Sequence, residues 1–212
     1  MIKITEIYKS IQGESSFAGL PCTFIRTTGC NLRCVWCDSE YAFFGGKAMS
    51  VQQIISKVKS YDCSLVEITG GEPLLQKEVP ALAKALLEMG CTVLVETSGE
   101  RDISVLDGNV IKIMDLKCPG SGECDKNRWE NLAHINGKDE IKFVLKDEAD
   151  YKWSCDVIKR HALEDKAALL MSTVFGDLQP AEVVGWLLRD RLNVRFQLQL
   201  HKLVWPPDKK GV

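Results

Sequence analysis

No apolar run in this 212-residue chain approaches the roughly 18–20 residues that a bilayer-spanning helix needs. An excess of basic residues is missing too: 27 Lys and Arg face 29 Asp and Glu, a formal net charge of -2. No global positive field therefore exists to draw in a nucleic-acid backbone or an anionic membrane. Histidine is scarce, with three in all, and His134, His161 and His201 show no zinc-finger spacing. Internal repeats and low-complexity tracts are absent, and the length suits one sizeable core rather than two. The segment Met1–Gly13 lacks the basic-then-apolar pattern of a secretory signal. The expectation is a cytoplasmic protein with no nucleic-acid and no membrane partner.

Cysteine, by contrast, is plentiful: nine residues, an odd number, in a compartment where disulfides are rare. Cys22, Cys63, Cys91 and Cys155 are scattered and read as small buried hydrophobes. Cys118 and Cys124 flank a Gly-Ser-Gly turn that can bring them together, but no histidine stands beside them to complete a metal site.

Hydrophobic periodicity sets out the frame. Strands are expected at Ile2–Ile7 (an edge strand), Cys22–Thr28, Leu65–Ile68, Cys91–Val95, Val110–Met114, Glu140–Leu145, Ala167–Met171 and Val194–Leu198. Helices are expected from Ser50, a natural N-cap, through Val58, over Lys77–Met89 with Gly90 as a stop, and over Tyr151–His161 and Pro180–Arg189. Strands alternating with helices imply parallel pairing and right-handed crossovers. The core strands read as continuous apolar runs, as burial on both faces requires. Six or seven such units fall short of the roughly 250 residues of a closed eight-unit barrel. The expected fold is therefore α/β: a single-domain, incomplete, open parallel β/α barrel. In such folds the loops after the strands gather chemistry on one face. Cys30-Asn31-Leu32-Arg33-Cys34-Val35-Trp36-Cys37, Gly70-Gly71-Glu72-Pro73, Glu96-Thr97-Ser98-Gly99 and Asp115-Leu116-Lys117 all follow core strands.

The three cysteines of that first loop are soft ligands suited to iron–sulfur chemistry. With three thiolates and no evident fourth, a [4Fe–4S] cube would keep one iron open. Zinc, which wants a fourth protein ligand in a closed site, is a second reading. A redox dithiol of Cys34 and Cys37 is a third.

The C-x3-C-x-aromatic-C arrangement resembles the radical S-adenosylmethionine superfamily. That resemblance implies a [4Fe–4S] cluster on Cys30, Cys34 and Cys37 whose open iron is chelated by S-adenosylmethionine. Gly70, Gly71 and Glu72 look like the superfamily's GGEP motif, which meets the methionine amino group. Trp36 would pack near the adenine, Glu96 and Ser98 would reach the ribose, and Lys117 would pair with the methionine carboxylate. A closer likeness covers almost the whole chain. Ser10-Ile11-Gln12-Gly13-Glu14, Phe24-Ile25-Arg26, Cys37-Asp38-Ser39, Cys118-Pro119 and Gln199-Leu200-His201-Lys202, taken in order with the loops above, resemble the 7-carboxy-7-deazaguanine synthase family.

The likeness implies a carbon–nitrogen lyase of the deazapurine pathway to queuosine. Such an enzyme contracts 6-carboxy-5,6,7,8-tetrahydropterin to 7-carboxy-7-deazaguanine with loss of ammonia. It also implies a magnesium ion, an external electron donor and a homodimer. Gln12, Glu14, Arg26 and His201 would face the pterin. Arg26 offers a planar fork for a carboxylate, and Gln12 and Glu14 offer mixed donors and acceptors. The family usually has threonine after the Cys-Asp pair, its hydroxyl on magnesium; Ser39 keeps the oxygen but loses the methyl that restricts its rotamers. Residues 1–212 are expected to act as one radical S-adenosylmethionine domain. Within it, 1–21 form an N-terminal extension and 199–212 a C-terminal tail in or near the substrate pocket. The competing enzyme reading is an activase that makes a glycyl radical on a partner protein.

Overall fold

The computed structural model describes residues 1–212. Its strands are β1 (Ile2–Ile11), β2 (Pro21–Thr27), β3 (Lys47–Met49), β4 (Leu65–Gly70), β5 (Thr92–Thr97), β6 (Ile111–Asp115), β7 (Glu140–Leu145), β8 (Ala168–Thr173) and β9 (Arg195–Phe196). Its helices are α1 (Val51–Lys59), α2 (Val79–Glu88), α3 (Glu148–His161), α4 (Pro180–Asp190) and α5 (Leu200–Val204). All nine strands form one sheet in the order β3-β1-β2-β4-β5-β6-β7-β8-β9. From β2 to β9 every pairing is parallel, while β1 runs antiparallel to both β2 and β3. The end strands β3 and β9 do not pair, so the barrel is open.

Local chemistry explains the helices. Ser50 and Gln53 form a reciprocal capping box: Ser50 Oγ accepts from Gln53 N at 3.2 Å, and Gln53 Oε1 accepts from Ser50 N at 2.8 Å. Ile54, Ile55 and Val58 then fall on the buried face of α1. The Asp147 carboxylate caps α3 through Asp150 N, and Lys159, Arg160 and His161 sit where the helix dipole favours cations.

Several expectations need correction. β1 is not an edge strand: it continues to Ile11, and the short β3, hidden from hydrophobic patterning by its three residues, lies outside it. β9 keeps only two of the expected residues, and Leu200–Val204 beyond it is helical. No α-helix links β5 to β6 or β6 to β7; only short 3-10 turns do. The second linker is rich in Gly, Pro, Asn and Asp, which favour turns over helix interiors.

The two faces of the sheet differ. Ile25, Val66, Ile68, Val93 and Val95 point outward against α1 and α2 in a cluster of 16 buried residues. Met114, Ile141, Phe143, Leu169 and Met171 do the same beneath α3 and α4 in a cluster of 18. The inward face holds only a five-residue apolar cluster: Cys22, Phe24, Leu65, Leu94 and Ile113. Apolar burial, about 1.5–3 kcal/mol for each large side chain, is thus concentrated outside, leaving the interior free to be polar.

Candidate functional site

Period-two alternation builds the site. Above that apolar floor the next inward positions are polar: Arg26 after Phe24 on β2, Glu67 and Thr69 after Leu65 on β4, Glu96 after Leu94 on β5, Asp115 after Ile113 on β6. With Lys142 of β7 they line a cavity of about 830 Å³ at the C-terminal ends of the strands. The reading of core strands as apolar on both faces therefore fails on the inner one. Glu67 and Lys142 were not singled out from the sequence, although Val66-Glu67-Ile68-Thr69 and Glu140-Ile141-Lys142-Phe143 alternate polar and apolar residues.

Cys30, Cys34, Cys37 and Trp36 line the same cavity. Their loop is pinned from several sides. Gly29 N donates to Ala42 O at 2.8 Å, Val35 N to Ser121 O at 3.0 Å and Glu72 N to Gly29 O at 2.8 Å. Leu32 is buried and its N–H donates to Cys30 Sγ at 3.4 Å. Gly71 packs so closely on this loop that a Cβ would collide with the Gly29 carbonyl and with Cys30 Cβ. No three His, Cys, Asp or Glu side chains converge on a single metal-ion position. Three half-buried thiols lining one cavity fit a polynuclear cluster, three of whose irons would take one thiolate each, better than a lone ion ringed at about 2.3 Å. Cys118 and Cys124 do not pair: Cys118 is buried against Ser154 Oγ at 3.5 Å, and both thiols are free.

Of the residues singled out in the sequence, Gln12, Glu14, Arg26, Trp36, Ser39, Gly70, Gly71, Glu96, Ser98, Lys117 and His201 all line the cavity. Glu72 does not. It is fully buried, and its carboxylate accepts from Leu74 N (2.9 Å), Thr97 Oγ1 (2.8 Å), Ser98 N (2.8 Å) and Ser98 Oγ (2.7 Å). Those four donors leave it no acceptor capacity for an ammonium in the cavity; it stands inside the wall and orients Ser98.

The charged groups form one connected set. Lys142 Nζ donates to Glu14 Oε2 at 3.0 Å and to Glu96 Oε1. Gln12 Nε2 donates to the Glu67 carboxylate, while Gln12 Oε1 accepts from Glu14 N at 3.1 Å. Burial, reinforced by the negative charge of Glu96, holds the Glu67 carboxyl well above the usual carboxylate range. Burial also works against an ionised Glu96, but the Lys142 ammonium prevails and lowers its pKa. For Lys142 itself burial opposes the charge, and Glu14 and Glu96 more than restore it. Arg26 Nε donates to Glu6 Oε1 at 2.9 Å and one terminal nitrogen to Tyr8 Oη at 3.2 Å, with the guanidinium beside the Tyr41 ring. Lys117 Nζ donates to Asp115 Oδ2 at 2.8 Å.

The C-terminal segment closes the remaining side. His201 lies so close to Gly13 that a Cβ there would overlap its imidazole. Burial lowers the His201 pKa despite the opposing pull of Glu14. Lys202 Nζ donates to Asp38 Oδ2 at 2.9 Å; burial would raise the Asp38 carboxyl, but that ammonium and the Gln199 amide hold it at about 2. Pro207 to Val212 line the cavity, with Lys210 Nζ 4.2 Å above the Tyr41 ring centre.

Comparison with known proteins fixes the family. The radical SAM superfamily model matches residues 24–115. The chain is 46% identical over 226 residues to the 7-carboxy-7-deazaguanine synthase of Koribacter versatilis, covering 100% of both proteins. The chain belongs to the 7-carboxy-7-deazaguanine synthase family. The synthase of Chlorobaculum tepidum is 44% identical, with 100% of this chain and 97% of that protein covered. In fold, the crystal structure of QueE from Escherichia coli superposes with a TM-score of 0.77 over 92% of this chain and 93% of that one, at 20% identity. The chain is thus an enzyme of the radical S-adenosylmethionine type that catalyses the conversion characteristic of 7-carboxy-7-deazaguanine synthases, and membership implies use of S-adenosylmethionine and a [4Fe–4S] cluster. No helix is long and apolar enough to cross a membrane.

Proposed function

We propose that this synthase converts 6-carboxy-5,6,7,8-tetrahydropterin to 7-carboxy-7-deazaguanine, with the cofactor and the pterin side by side in the single cavity. The observation that carries this reading is the shared lining. Cys30, Cys34, Cys37, Gly70, Gly71, Ser98 and Lys117 stand in one cavity with Gln12, Glu14, Arg26 and His201. When bound, the cluster and S-adenosylmethionine supply the radical that takes hydrogen from C6 of the pterin.

The chain's own residues do the rest. Cys30, Cys34 and Cys37 would hold three irons of the cluster. The Gly70-Gly71 backbone admits the methionine end without side-chain obstruction. Lys117, held by Asp115, would pair with the methionine carboxylate, Glu96 and Ser98 would hold the ribose, and Trp36 would pack on the adenine. Glu72 acts behind Ser98 instead of touching the cofactor. Arg26, steadied by Glu6 and Tyr8, offers its free N–H groups to the pterin carboxylate. Glu14 and Gln12 take the aminopyrimidinone edge, and His201 donates or accepts as a neutral imidazole. Ser39 would offer its hydroxyl to a magnesium ion, a hard cation suited to oxygen ligands. The whole chain works as one domain, with residues 1–21 and 199–212 both serving the substrate end. An external one-electron donor and a homodimeric assembly complete the proposal.

The test is an anaerobic assay of reconstituted protein with S-adenosylmethionine, reductant, magnesium and the carboxypterin, read by mass detection. Product formed without any partner protein supports the reading and rejects a glycyl-radical activase; no product from fully cluster-loaded protein overturns it. Cys30→Ala, Cys34→Ala and Cys37→Ala should each abolish turnover and disrupt cluster assembly. A full cluster with normal turnover in any of them removes that residue from the ligand set.

A further inference from the structure

We infer that Lys142 is a positioning residue that holds Glu14 and Glu96 from between them, so that one ammonium sets the binding geometry of both the pterin and the cofactor. The inference rests on the assignment of Glu14 to the pterin and Glu96 to the ribose made above.

Lys142 points inward from the middle of β7, its side chain only 6% exposed. Glu14 reaches it from the loop after β1 and Glu96 from β5, so two segments distant in sequence meet on a single cation. Each carboxylate gives one oxygen to Lys142 and the other to a neutral donor. Glu14 Oε1 accepts from Gln199 Nε2 at 2.9 Å, and Glu96 Oε2 accepts from Thr69 Oγ1 at 3.1 Å. Both acids are thereby fixed in direction. Without the ammonium, two like charges would face each other on the cavity wall, and at least one would turn away or take a proton. The stoichiometry also separates this bridge from a purely structural one. One lysine serves two carboxylates, and the assembly lies open to the cavity.

The experiment compares binding of each ligand separately to anaerobic, cluster-loaded protein: wild type, E14Q, E96Q, K142M and K142R. Iron content and thermal unfolding are measured alongside. E14Q should weaken the carboxypterin alone and E96Q S-adenosylmethionine alone. K142M should weaken both by about tenfold or more, and K142R, which keeps the charge and two donors, should bring both back to within about threefold of wild type. A space-filling role would be met by methionine and would not be rescued by arginine. If K142M changes one affinity or neither, the inference falls. If E14Q or E96Q leaves its own ligand untouched, the underlying assignment falls instead. Should K142M fail to fold, K142Q, which removes the charge but keeps a donor, carries the same decision; failure of both to fold marks Lys142 as structural and overturns the inference.

Discussion

Two buried lysines on neighbouring strands, Lys112 of β6 and Lys142 of β7, make opposite use of the same chemistry. Lys112 lies near the start of its strand, on the parity of the outward-facing Met114. Its ammonium meets Asp139 Oδ2 at 3.0 Å, and the same carboxylate accepts from Lys112 N and Asn136 N at 2.9 Å each. One cation meets one anion, every strong acceptor is used, and neither residue lines the large cavity. Lys142 faces inward, is shared by two carboxylates and borders open space. The balanced, sealed pair is a fold device; the unbalanced, open one has capacity left for a ligand. Burial alone does not distinguish them, since both are nearly inaccessible. Charge stoichiometry and access do.

The sharpest way to break this contrast is Asp139→Ala. It strands a buried ammonium and two backbone donors, so unfolding in denaturant should show a loss of about 3–5 kcal/mol. Activity per folded, cluster-loaded molecule should stay near wild type. A large fall in that specific activity with stability unchanged would erase the distinction between the two lysines.

Glu72→Gln probes the boundary, because this residue is sealed like Asp139 yet touches a residue that lines the cavity. Its carboxylate accepts from the hydroxyls of Thr97 and Ser98 and from two backbone amides, and an amide nitrogen in place of one oxygen must face a donor. Hydrogen bonds to charged groups are worth about 1.5–3 kcal/mol each, so about 2 kcal/mol of stability should be lost. Weaker S-adenosylmethionine binding should accompany it as Ser98 is released, with pterin binding unchanged. A titration in which cofactor affinity survives the stability loss would make Glu72 purely structural.

The same contrast marks how far the sequence could be read. The N-cap at Ser50, the apolar strands and the cysteine loop are local patterns, and local rules placed them. β3 and α5 were missed because three and five residues carry too little periodicity. Glu67 and Lys142 were missed for a deeper reason. Each lies within a strand whose neighbours are apolar, and only closure of the sheet decides which parity faces a cavity. Glu72 shows the converse: the motif put it beside the cofactor loop, but its direction depends on Thr97 at the end of β5 and on Ser98 just beyond it. Asp139 and Asp150, which order loops through backbone amides, carried no sequence signal either.

Arg26→Lys tests the open end more gently. The charge is kept, but Nε to Glu6 and the terminal nitrogen to Tyr8 belong to a planar fork that an ammonium cannot reproduce. Affinity for the carboxypterin should drop by about 1–2 kcal/mol, roughly five- to thirtyfold, with iron content and cofactor affinity intact. Unchanged pterin affinity in a direct titration would take Arg26 out of the substrate pocket and leave it as a partner of Glu6 and Tyr8.

The smallest effect concerns Ser39. It stands at the N-cap of the short turn Glu40–Ala42, where a serine hydroxyl ordinarily earns its place by capping. Here the side chain makes no cap hydrogen bond; the turn closes through Ala42 N to Ser39 O at 2.9 Å, and Oγ instead donates to Asp38 Oδ1 at 3.3 Å on the cavity lining. Ser39→Ala should therefore cost less than the ~0.5–2 kcal/mol of a working cap and leave the three cysteines and the iron content alone. If the hydroxyl is a magnesium ligand, product formation against magnesium, after chelation of contaminating metal, should shift to higher concentration in the alanine variant. Ser39→Thr keeps the oxygen and narrows its rotamers, so its curve should match wild type or move to lower magnesium. Superimposable curves for serine and alanine would remove Ser39 from the magnesium site, and the hydroxyl would then be a surface donor to Asp38 at the edge of an otherwise intact pocket.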